Sequence, residues 1–155
     1  MKFITILASA ATLGLGTFAL AEGHADIDPA VKARQAHMQL VAHNIGVLGG
    51  MAQGKADYDA DAAAAAASNL NALANMDQAS YWTQGTDNAA IDGTRALPAI
   101  WANMDDFMSK NEDFAFETEA MMDAAGTDLA SLQGAMQGLG STCSACHREY
   151  RQRDN

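Results

Sequence analysis

Apolar positions along the chain recur at steps of three and four, almost never in strict alternation, and this rhythm predicts four helices. The first is predicted to open at Asp28, a capping residue, and Pro29, which suits the first helical position, and to fray at Gly49, Gly50 and Gly54. Its apolar stripe is Val31, Met38, Val41, Ile45, Leu48 and Ala52. The second is predicted within "DYDADAAAAAASNLNALANMD", with Asp59 as cap and an alanine-rich body whose small side chains let neighbouring helices approach closely. From Asp77 to Leu97 no period is sustained, and Gly85, Asn88 and Gly93 punctuate the segment, which reads as a long crossover of the kind that lines sites. The third helix is predicted to open at Pro98 and stop near Gly126, with Ile100, Met104, Phe107, Asn111 and Phe114 on one stripe. The fourth, capped by Thr127 or Asp128, carries Leu132, Met136, Leu139, Cys143, Cys146 and Tyr150 at alternating spacings of four and three.

Short first and third connections around a long second one make an antiparallel four-helix bundle, all-α, the economical architecture. A bundle of about 130 residues buries roughly two thirds of the surface of its unfolded chain and needs no disulfide for stability. The 155 residues suit a single domain, and residues 1–21 stand apart from it. "MKFITILASAATLGLGTFALA" has a basic start, an uncharged apolar run and a small-x-small end, the order of parts in a secretory signal peptide. The run is short for a membrane span, includes Gly14 and Gly16, and lacks a basic stop-transfer cluster. The expected domains are therefore a signal peptide, 1–21, and a bundle domain, 22–155, exported to the periplasm.

Nine Lys and Arg face nineteen Asp and Glu, for a formal charge of −10, and loss of Lys2 with the signal peptide lowers it to −11. Nucleic acid and anionic membrane surfaces are disfavoured as partners, and stable membrane insertion is not expected. A partner with a basic docking surface fits the total charge, as does a simply solubilising surface.

Both cysteines of the chain lie in "TCSACHREYRQ". A redox dithiol, part of a zinc site and covalent haem attachment all use such spacing. On a helix, Cys143 and Cys146 project from neighbouring turns of one face, with His147 nearly in line, so one flat ligand can meet all three. Two thioethers to haem would leave the His147 imidazole positioned to bind the iron. A structural zinc site wants four ligands, and His24, His37 and His43 stand at no recognisable spacing to supply the fourth. A thioredoxin-like dithiol belongs at a helix start in a mixed α/β fold, whereas this pair sits in the last turns of an all-α chain. In an exported chain, where a free pair would otherwise close as a disulfide, haem attachment is the preferred reading; a thiol oxidoreductase without haem would be a colourless protein.

With "CSACHREYR" at its end, "VKARQAHM" in its first helix and "LPAIWANMDDF" opening its third, the whole mature chain resembles a class II c-type cytochrome. That family comprises cytochrome c′, with five-coordinate high-spin iron that binds small gases, and low-spin relatives in which a first-helix methionine is the sixth ligand. The resemblance implies haem c held through Cys143 and Cys146, iron ligated by His147 and Met38, and Arg34 and Gln35 beside the haem. It also places Thr86 and Asp87 in a polar stretch near the haem, where a simple turn is an equal reading, and Arg151 near the proximal imidazole. It implies periplasmic one-electron chemistry with redox partner proteins, and for many members a homodimer. Arg34 and Met38 are four apart and share a helix face, so the guanidinium could hold a haem propionate.

Two functions follow, neither of them enzymatic. One is a one-electron carrier, and the other a high-spin protein that binds nitric oxide or carbon monoxide at an open distal site. Met51, Met76, Met104, Met108, Met121, Met122 and Met136 read as adaptable core or groove fillers, and Trp101, Phe107 and Phe114 as packing residues. His37 and His43 read as surface residues flanking the first stripe.

Overall fold

A computed structural model describes residues 27–153; the signal peptide expected at 1–21 lies outside them. The order is α1 (Pro29–Ala52), α2 (Ala60–Ala74), a 3-10 turn (Ala79–Tyr81), the short α3 (Ala99–Ala102), α4 (Met104–Ala125) and α5 (Leu129–Tyr150). The four long helices form the bundle: α1 packs on α2 and α5, and α4 on α2 and α5. Among the described residues the β-structure is one isolated antiparallel bridge, Ala96 to Arg151.

Three aspartates start the helices by accepting orphan backbone N–H groups. Asp28 accepts from Ala30, Asp59 from Ala62 and Asp128, not Thr127, from Ser131. The predicted third helix is divided at Asn103, where φ −136° and ψ 50° leave the helical region. The Asn103 side chain donates back to the Ala99 carbonyl, a local bond that competes with helix continuation, and its own carbonyl receives the first amide bond of α4, from Phe107.

The main core lies in the half of the bundle far from the crossover, where Leu48, Leu70, Met121, Leu132 and Leu139 are almost fully buried around Ala63, Ala66 and Ala67 of α2. Fully burying each large side chain contributes about 1.5–3 kcal/mol. A polar seam fixes the register of α2. Asn69 donates to Asn44 at 3.1 Å, Asn71 to the fully buried Thr118 at 3.2 Å, and the Tyr58 hydroxyl to the Ala125 carbonyl at 2.9 Å. Met51 and Met121 are core residues, as expected, but Met76, Met108 and Met122 are exposed: Met108 and Met122 lie off the inward face of α4 that Met121 shares with the core, and Met76 follows the end of α2.

Candidate functional site

The crossover closes the other end of the bundle, strapping the start of α1 to the end of α5. On the α1 side the Arg34 guanidinium is its anchor. Arg34 is only 5% exposed, so it is not the solvated cation that its charge alone would suggest. It donates to the Tyr81 carbonyl (3.3 Å), the Thr86 hydroxyl (2.9 Å), the Thr86 carbonyl and the Thr94 hydroxyl (2.6 Å). Its planar fork also lies 5.3 Å from the Trp82 ring centroid and 6.0 Å from that of Trp101. Burial lowers its pKa, opposed by the charges of Asp28 and Asp87. Gln35 donates to the Gly93 carbonyl at 2.6 Å, and Gly93 has φ 80°, a conformation that favours glycine.

On the α5 side the strap is a short antiparallel pairing. Leu97 N–H donates to the Tyr150 carbonyl at 3.0 Å and Gln152 N–H to the Arg95 carbonyl at 2.8 Å. Arg95 Nε donates to the Gln152 carbonyl at 3.3 Å, and the Asn88 amide to the Gln152 side chain at 3.0 Å. Beneath it sits a second, aromatic cluster. Trp82 meets Phe107 edge-on at 4.6 Å, Phe107 meets Tyr150 at 5.3 Å, and Ile100 and Cys146 pack in the same group. The Trp101 indole donates to the Trp82 carbonyl at 3.0 Å, and the Tyr150 hydroxyl to Asp106 at 2.5 Å.

The predicted cysteine and histidine motif lies between strap and core, on the last two turns of α5. Cys143 and Cys146 are unpaired, half-buried thiols. Burial raises both pKa values, that of Cys146 to about 11, so each is a neutral thiol near pH 7. His147 is the most accessible of the three, and its pKa is lowered by partial burial and then by the charges of Arg151 and Arg95. It is a neutral imidazole near pH 7, the form that ligates metal.

Each of two helices leaves a sulfur side chain uncovered near this end. On α1, Met38 is 40% exposed beside the buried Arg34, His37 and Val41. On α5, Leu139 and Tyr150 are buried while Cys143 and Cys146 between them are not. The register of these antiparallel helices is set lower down, where Gln133 donates to the Ala52 carbonyl at 2.8 Å and Met136 lies against Gly49. Eleven residues up α1 from Gly49 is Met38, and eleven up α5 from Met136 is His147. At equal rise per residue the two stand at the same height. Two unpaired thiols one turn apart, a neutral imidazole and a thioether at the same height are a donor set that fits haem c; among the described residues no group of three or more His, Cys, Asp or Glu is arranged to hold a bare metal ion.

The remaining expectations divide. Thr86 is buried as a partner of Arg34. Asp87 makes a turn, accepting from the Ala89 and Ala90 amides, and reaches Arg34 only through its charge. Arg151 lies one turn beyond His147, whose carbonyl its amide meets at 3.3 Å. His37, expected at the surface, is 5% exposed and packs edge-on to Tyr81 at 5.8 Å, because the crossover covers that face of α1. Thr94, Trp82 and Arg95 join the site without having been singled out in the sequence. The polar composition of the crossover was their only signal.

The chain matches the family model described as Cytochrome C′ over residues 29–151. It is 45% identical over 136 residues to cytochrome c-554 of Cereibacter sphaeroides, covering 88% of this chain and 89% of that protein. It is 38% identical over 127 residues to a cytochrome c′ of the same organism, covering 82% and 85%. Among solved structures, a cytochrome c′ from Rhodobacter sphaeroides superposes with a TM-score of 0.81 at 37% identity, covering 84% of this chain and all of that one. The chain belongs to the cytochrome c′ family of c-type cytochromes, four-helix bundles that carry covalently attached haem c.

Proposed function

We propose that the protein is an exported, periplasmic one-electron carrier that transforms no substrate, in which Cys143 and Cys146 would attach the haem by thioethers and His147 and Met38 would ligate its iron. The observation that carries this reading is the place of Met38: an exposed thioether one turn from the buried Arg34, at the height of His147. The haem, when bound, supplies the ferric and ferrous couple. The chain's residues hold and shield it. Cys143 and Cys146 fix its position on α5, and Met38 offers a soft sulfur of the kind that favours the reduced state. Arg34 locks the strap over this end of the bundle, and Trp82, Trp101 and Phe107 exclude water, which also raises the potential of the couple. The apolar leader at 1–21 supports export, and no described helix is long and apolar enough to cross a membrane.

The test is the ferric spectrum and spin state of the wild type beside Met38→Leu. Low-spin wild type that becomes high-spin in the variant, and then binds carbon monoxide readily once reduced, is the expected outcome. High-spin iron in both proteins would make gas binding at an open distal site the better account.

A further inference from the structure

The charge of this protein is unevenly placed, and we propose that the arginines gathered beside His147, Arg95, Arg148, Arg151 and Arg153, form the docking face for an acidic redox partner protein. The proposal rests on the electron-carrier reading above and names the partner surface for that site. Arg148 and Arg153 are exposed, and Arg95 and Arg151 are half-buried. A helix C-terminus by itself favours cations in its last turn, which accounts for Arg148 and Arg151. It does not account for Arg153, beyond the helix, or for Arg95, which arrives from the crossover. The Ala96 to Arg151 bridge brings that second segment alongside the first, and the Arg95 side chain is held by the Gln152 carbonyl. Two separate stretches of an acidic chain thus converge their arginines on one end. Of the carboxylates at this end, Asp106 and Glu149 face Lys110, at 3.5 Å and 3.8 Å, and the charges of Asp28 and Asp87 act on the buried Arg34 guanidinium.

The opposite end is acidic. Asp57, Asp59, Asp61, Asp123 and Asp128 stand around the α1–α2 and α4–α5 connections, with Lys55 among them. With 22 residues, α5 separates the two ends by roughly 33 Å, about three Debye lengths at 0.1 M ionic strength. A partner at the arginine face therefore meets the local positive charge, and the distant carboxylates are screened. The acidic opposite end repels an acidic partner, so the uneven charge also selects orientation. Total charge alone pointed to a basic partner, but a basic surface would be drawn to the end away from His147.

The test uses the reduced holoprotein saturated with carbon monoxide, Asp154 and Asn155 included, with hexacyanochromate(III), a redox-inert paramagnetic trianion. At about 0.1 M ionic strength, amide broadening should concentrate at residues 95–96 and 147–153, and a hexaglutamate peptide should relieve it by competition. In the Arg148→Gln/Arg153→Gln double variant the effect should weaken roughly tenfold, as expected for two charges acting on a nearby trianion in screened water. Even broadening over the whole surface, or relief by hexalysine but not by hexaglutamate, would overturn the proposal. So would co-sedimentation with phosphatidylglycerol vesicles that the double variant loses, since that would assign the face to a membrane surface. Saturation with carbon monoxide makes the reduced iron low-spin and diamagnetic whether or not Met38 ligates it, so failure of the docking face and failure of the carrier reading are separable.

Discussion

Replacing Arg34 by alanine removes the hub that joins α1 to the crossover. Four donated hydrogen bonds are lost, two of them to Thr86, together with contact to the Trp82 and Trp101 rings. Hydrogen bonds from a charged group contribute about 1.5–3 kcal/mol each, but bonds sharing one guanidinium do not add, and some stranded acceptors will find water. A net loss of about 3 kcal/mol is the working figure, and at about 1.4 kcal/mol per tenfold it corresponds to roughly a hundredfold. The loss should be local, because the main core around Leu70 and Leu132 shares no residue with the strap. Amide hydrogen exchange on the holoprotein reads it directly. The amides of Asn88, Leu97 and Gln152, which bond within the strap, should exchange about a hundredfold faster, while the amide of Leu70 keeps its protection. Arg34→Lys, which keeps the charge but not the fork, should fall between. Unchanged exchange in the strap, or uniform acceleration through α2, would refute the assignment of Arg34 as a local anchor.

Replacing Cys143 or Cys146 by serine should leave one attachment point, so that denatured chain on a gel retains less haem colour than the wild type; a wild-type chain that loses its colour on denaturation would refute thioether attachment. Thr118→Val keeps shape but removes the acceptor of the Asn71 amide in the polar seam, and should lower stability by about 1–2 kcal/mol in urea titration. Tyr150→Phe should cost stability in a pH-dependent way. The Tyr150 hydrogen bond holds the Asp106 pKa below its ordinary 3.8, so the contribution is present above that value and lost as acid protonates the folded carboxylate. The same bond raises the tyrosine pKa from 10.0 to about 12, so the contribution is complete below 10.0 and lost as pH rises through about 12. The stability difference between wild type and variant should therefore be flat from pH 5 to 9 and shrink at both extremes; a flat difference across the whole range would exclude this pair as its cause.

The helices were legible in the sequence because their causes are local. Asp28, Asp59 and Asp128 cap the residues that follow them, and the stripes repeat within a few turns. The proposed attachment motif could be read because its three side chains lie within five residues. The strap was not, because Arg34 finds its partners 47 to 60 residues away, and no local pattern distinguishes Thr94 from any other loop threonine. The same distance hid the burial of His37, which depends on Tyr81. The break at Asn103 escaped notice for a different reason. The apolar rhythm continues across it, from Ile100 to Phe107, and only the side-chain bond to Ala99 reveals the turn. Total charge was legible and its placement was not, since the arginine face is assembled from two segments that meet only at the Ala96 to Arg151 bridge.

The pairing of Met38 with His147 is tested most directly by NMR of the reduced holoprotein with carbon-13 in its methionine methyl groups. A methyl held against the haem plane is shifted far upfield by the ring current, away from methionines packed among side chains. One strongly upfield methyl in the wild type, absent from Met38→Leu and retained in Met136→Leu, is the predicted result. A spectrum in which every methionine methyl lies in the ordinary region, or in which the shifted resonance survives Met38→Leu, would contradict it.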